Sequence, residues 1–142
     1  MKTILILFIS TLAAVHLLAS TNEAPVKLAI ISESPETAAA ADVLTAEFSK
    51  DTNLQLLERA EIEKVLGEQK LSLNNVDHLK LGQLLGADGL LALQFVHGGT
   101  NGFSSAQLVA VKPGVLLTSE RFKWPPPDVA AWSAGVAKHL AP

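Results

Sequence analysis

The spacing of apolar residues changes along this chain, and each change predicts an element. Val26 to Ile31, "VKLAII", reads as a buried strand, and "SESPE" after it offers Ser34 as an N-cap with Pro35 at the first helical position. Ala40, Leu44 and Phe48 then fall at i, i+4 and i+8 with Val43 alongside, which predicts a helix to about Ser49 that "DTN" ends. Leu54 to Leu57 is a short strand. In "LLERAEIEKVLGEQKLSLNN" the residues Ile62, Val65 and Leu66 share one helical face, with Gln69 one position further along the same pattern, while Glu61, Glu63, Lys64 and Glu68 occupy the rest. Gly67 weakens that helix by about 1 kcal/mol relative to Ala, so an end or bend is expected near Gln69. Asn75 suits the N-cap of the next helix, which carries Val76, Leu79, Leu81, Leu84 and Leu85. Gly86 follows as a left-handed C-terminal cap.

From Gly89 the period shortens to that of strands: Leu90 to His97, Phe103 to Val111 and Val115 to Phe122. "GGTNG" separates the first two. "KPG" separates the last two, with Pro113 and Gly114 expected at the centre of a type II turn. Such short connections imply an antiparallel meander, and the alternation of Ala106, Leu108 and Ala110 implies that helices cover one face of its middle strand. Pro125 to Pro127 form a stiff link to a last helix marked by Val129, Trp132, Val136 and Leu140. The expected fold is α/β (α+β): a single two-layer or three-layer domain with a mixed sheet of five strands, a C-terminal antiparallel meander and four helices.

Composition adds a leader and removes partner classes. Of the 142 residues, 49% are hydrophobic, but part of that lies in "MKTILILFISTLAAVHLLAS", where Lys2 precedes an apolar run from Ile4 to Leu18 and small residues follow. This is the layout of a secretory signal, residues 1–20, with the cut expected between 19 and 21 and an exported domain over 21–142. The rival reading is a retained membrane anchor, which Ser10, Thr11 and His16 dilute. In both, Lys2 favours the cytoplasmic side and the rest is exported, to the periplasm or the periphery of the outer membrane. The chain has no Cys, so neither disulfides nor a lipid-modified Cys anchor are expected. Loss of Lys2 takes the formal charge from −3 to −4, which makes nucleic acid and anionic membranes poor partners.

The residues that could carry chemistry are few. "GFSSA", Gly102 to Ala106, lacks the last Gly of a nucleophile elbow and enters a strand, so Ser104 and Ser105 read as ordinary strand residues. Outside the leader, His78, His97 and His139 lack metal-ligand spacing, and no metal or cofactor is expected. "HGGTNG" has no Gly-Lys-Ser/Thr after it and reads as a hairpin loop. Seven of the 25 charged residues crowd between Glu58 and Lys70. Their alternating signs suit a solvated helix face first and a protein-binding face second, made by Arg59, Glu61, Lys64, Glu68 and Gln69.

"LLERAEIEKVLGEQKLSL" followed by "KLGQLLGADGLLALQFV" resembles the curli production assembly/transport component (CsgG-like) family in its periplasmic domain. The matching positions are Glu58, Arg59, Ile62, Val65, Leu66, Glu68 and Gln69, then Gly82, Leu85, Gly86, Ala87 and Asp88. The resemblance implies a non-catalytic envelope protein of mixed α/β type that acts in secretion, assembly or enzyme activation by binding envelope proteins, another copy of itself included. The chain departs from channel members in having no pair of long alternating hairpins for a membrane barrel. A small-molecule site at the "GGTNG" loop or at the ends of the first two strands is the alternative, and a hydrolase using His78, His97 or Ser104 a distant third.

Overall fold

The computed structural model describes residues 24–69, 78–97, 102–126 and 128–140. In chain order the elements are β1 (Val26–Ser32), α1 (Pro35–Phe48), β2 (Leu54–Leu56), α2 (Arg59–Gln69), α3 (His78–Leu85), β3 (Gly89–Val96), β4 (Gly102–Ala110), β5 (Val115–Trp124) and α4 (Val129–Leu140). The strands form one sheet in the order β2-β1-β3-β4-β5. β1 lies parallel to both β2 and β3, and β3, β4 and β5 form the antiparallel meander.

Helices cover both faces, so the domain has three layers. Leu28, Leu91, Leu93 and Ala106 pack with Ala40, Leu44 and Phe48 of α1 and Val136 of α4. On the opposite face Ala29, Ile31, Leu90 and Ala92 pack with Ile62 of α2 and Leu81 and Leu85 of α3. Successive strand side chains point to opposite faces, which is why β1 and β3 are apolar at nearly every position. No helix among the described residues is long and apolar enough to cross a membrane.

Several details differ from the sequence reading. β2 stops at Leu56; the Leu57 N–H still reaches Leu28 O at 3.0 Å, after which the chain turns into α2 at Arg59. Ser34 sits at the N-cap of α1, but its hydroxyl meets Thr37 Oγ1 at 3.1 Å and caps no backbone N–H. Leu84 is not part of the buried stripe of α3; it is 45% exposed, since that helix packs on one side only. The "KPG" loop, expected as a turn centred on Pro113 and Gly114, is closed by a longer backbone bond. Gly114 donates to Ala110 O at 3.0 Å, a bond that spans four residues, and Gly114 takes the left-handed φ of 88° that the closure needs. β5 runs two residues past Phe122 and carries a bulge, with Thr118 opposite Leu108 but Leu116 opposite Val109. The N-cap Asn75 with Val76, residues 98–101 of the "GGTNG" loop and the leader lie outside the described residues.

Candidate functional site

A cleft opens where the first two strands end. β2 is three residues long and β1 seven, so β1 continues beyond its neighbour. The gap, about 420 Å³, lies between α1 and α2, with Ile30, Leu56, Leu57, Ile62 and Leu66 among its apolar lining. Its rim is charged. Arg59, the first residue of α2, donates from Nη1 to Asp42 Oδ1 of α1 at 2.8 Å and from Nε to Glu63 Oε1 at 3.0 Å. The hydrogen bond to Glu63, then the charge of Asp42, raise the guanidinium's pKa, so it stays a cation throughout the accessible range. The bridge ties the two helices that belong to opposite layers.

Of the residues expected to form a binding face, Glu61, Lys64 and Glu68 stand exposed on α2, with Lys64 Nζ 3.9 Å from Glu68 Oε1. Arg59 is exposed too, yet it is engaged with Asp42 and Glu63. Gln69 closes α2 in the backbone; its side chain lies outside the described ones. The sequence reading missed Asp42 and Glu63 as partners of Arg59. The spacing of four from Arg59 to Glu63 was a usable signal; Asp42 had none, because its proximity comes from packing.

The remaining motif positions build the fold. The Glu58 carbonyl accepts from Glu61 and Ile62 at 3.0 and 3.2 Å and starts α2. Ile62 is buried, and Val65 and Leu66 pack at the margin of the same core. Gly82 touches Val111 so closely that a Cβ would stand 2.5 Å from Val111 Cγ2. Leu85 is buried in the core. Gly86 has φ 62°, donates to Gln83 O at 3.1 Å, and is followed by Ala87 donating to Gly82 O at 3.0 Å, the paired bonds of a Schellman cap. Asp88 then joins three strands. Its carboxylate accepts the Lys27 N–H at 3.0 Å, its N–H donates to Lys27 O at 2.8 Å, and its carbonyl accepts the Val111 N–H at 2.8 Å. Asp88→Ala should cost about 1 kcal/mol, the net value of one hydrogen bond, seen as an earlier urea midpoint with unchanged slope.

Candidate catalytic residues do not come together. Ser104 is fully buried and its Oγ has no hydrogen-bond partner among the described residues. Ser105 is buried on the adjacent strand position. His97 is exposed beside Phe95, with ring centroids 4.6 Å apart, and His139 Nδ1 lies 2.9 Å from Gly135 O on α4. His78 is buried against Glu33. No three metal-ligating side chains converge among the described residues.

Comparison with solved structures gives the fold a context. The LpoB C-terminal domain from Salmonella enterica is similar with a TM-score of 0.54 and 15% identity, over 74% of this chain and 86% of that one. Lipoprotein GNA1162 from Neisseria meningitidis is similar with a TM-score of 0.55 and 20% identity, over 82% and 94%. TolB from Acinetobacter baumannii is similar with a TM-score of 0.57 and 14% identity, over 82% of this chain but 27% of that one. At these identities the likeness is one of fold. No curated protein sequence matches significantly. The family model "Curli production assembly/transport component CsgG" matches residues 10–103, about two thirds of the chain. The chain therefore belongs to the CsgG family of curli production assembly/transport components.

Proposed function

We propose that this protein is exported behind a cleaved leader, residues 1–20, and that its domain acts without catalysis, by binding another envelope protein during secretion or envelope assembly. Family membership is the observation that carries this reading. The site fits it. The motif residues Ile62, Val65, Leu66, Gly82, Leu85, Gly86, Ala87 and Asp88 are spent on the core, a helix cap and strand junctions, whereas the charged residues of α2 are spent on no buried contact. Glu61, Lys64 and Glu68, with Arg59 and Gln69 at the two ends of the helix, form the partner-binding face.

Photo-crosslinkers at positions 61, 64 and 68, used in the native host, should trap one repeatable envelope protein or a second copy of the chain. The charge reversals Glu61→Lys, Lys64→Glu and Glu68→Lys should abolish that product while changing stability by no more than about 0.5 kcal/mol. A folded triple variant that keeps every crosslink would remove this face from consideration. Absence of any crosslink from all three positions would count against the protein-binding reading itself.

A further inference from the structure

The cleft beside β1 contains more than apolar side chains. Pairing with β2 ends at Leu28 opposite Leu56, and β1 continues to Ser32. The amide groups of a strand alternate between its two edges. Val26 N–H donates to Asn53 O at 2.8 Å and Leu28 O accepts from Leu57 N at 3.0 Å, so even-numbered residues face β2. Lys27 O accepts from Asp88 N and Glu33 N–H donates to Leu93 O, both at 2.8 Å, so odd-numbered residues face β3. Ile30 and Ser32 therefore turn N–H and C=O towards the β2 edge, beyond the point where the chain has left for α2. No backbone bond joins them to Leu57 or to α2 among the described residues, and both residues line the cleft.

These groups lie between two walls. Ala41 and Thr45 of α1 stand on one side, and Ile62 and Leu66 of α2 on the other. A row of free strand amides between two largely apolar walls is the arrangement that accepts an added strand, whose main chain bonds to the edge while alternate side chains enter the two walls. The rim selects the charge of the occupant. Asp42, Glu58 and Glu63 supply three carboxylates against the single guanidinium of Arg59.

We infer that this slot binds an extended segment of a partner protein, added as a strand along Ile30 and Ser32, with short aliphatic side chains in the slot and a Lys or Arg at the carboxylate rim. The inference rests on the protein-binding function proposed above and gives it a second contact, independent of the outer face of α2.

The test uses the chain isolated from ¹⁵N-grown cells after export, with the peptide acetyl-Lys-Val-Thr-Val-Lys-amide as probe. At saturating peptide, exchange of the Ile30 and Ser32 amide protons should slow at least tenfold. Only one edge of an added strand bonds to β1, so N-methylation of one alternate set of peptide amides should abolish the effect and methylation of the other set should leave it. Replacing both lysines by glutamates should weaken binding at least tenfold. Thr45→Trp fills the slot from an exposed position; it should remove the protection without lowering the melting temperature. Unchanged exchange at both amides with millimolar peptide overturns the inference, as does protection that survives Thr45→Trp or tolerates both methylated sets. Crosslinks from positions 61, 64 and 68 that persist in such a case would leave the protein-binding function standing without the slot.

Discussion

Replacing His78 with Ala should lower the free energy of unfolding by about 1–3 kcal/mol, because it leaves the buried Glu33 carboxyl group without its polar neighbour. Glu33 follows the last residue of β1 and His78 opens α3. Their side chains are 4% and 5% exposed, with His78 Nε2 in close contact with Glu33 Oε1, and Glu33 Oε2 has no partner among the described residues. A carboxylate in that position depends on the imidazole for what compensation it has. Removing both groups should therefore hurt far less than removing one. The joint variant Glu33→Leu with His78→Leu is expected to recover most of the loss, since replacing both partners by apolar side chains leaves neither polar group buried alone. Urea unfolding of the two single variants and the pair gives the coupling directly. Additive losses, or a cost below about 1 kcal/mol for His78→Ala, would show that the contact contributes little.

The elements of this fold were readable wherever local chemistry sets them. The apolar run of β1 comes from burial on both faces, the Ala40, Leu44 and Phe48 stripe from a helix over the sheet, and the stop at Gly86 from a left-handed backbone that the Schellman bonds require. The features that decide the candidate site are not local. Glu33 meets His78, and Asp42 meets Arg59, only because β1, α1, α2 and α3 are brought together around one sheet. The slot beside β1 depends on β2 ending at Leu56, a one-residue matter in the run Leu54-Gln55-Leu56-Leu57, which gives no sharp signal for its end. The cleft lies at the ends of the first two strands, where the sequence suggested its alternative small-molecule site, because strand ends gather loops and helix starts. What such a site would bind was not readable, because the answer lies in which backbone amides remain free. The charged run from Glu58 to Lys70 shows the same division: its helix was legible, and the engagement of Arg59 by α1 was not.

Gly82→Ala should destabilise the protein by about 1–3 kcal/mol, although helix propensity alone predicts a gain of about 1 kcal/mol. The added Cβ would stand 2.5 Å from Val111 Cγ2 and 3.3 Å from Cγ1. Val111 cannot move aside easily, since it is 2% exposed and its N–H is held by Asp88 O at 2.8 Å. Gly67→Ala in α2 supplies the contrast, because a Cβ there would meet nothing within 4 Å and the residue is exposed. That variant should gain up to about 1 kcal/mol from propensity and a less flexible unfolded chain. Urea midpoints of the two variants should therefore move in opposite directions. Combining Gly82→Ala with Val111→Ala should cost less than the sum of the two, since the smaller side chain makes room for the methyl group. Two Gly→Ala variants that stabilise alike would mean that α3 can shift away from Val111, and that the close approach of helix and strand at Leu-Gly-Gln-Leu-Leu-Gly-Ala-Asp, residues 81–88, is not what fixes α3 on the sheet.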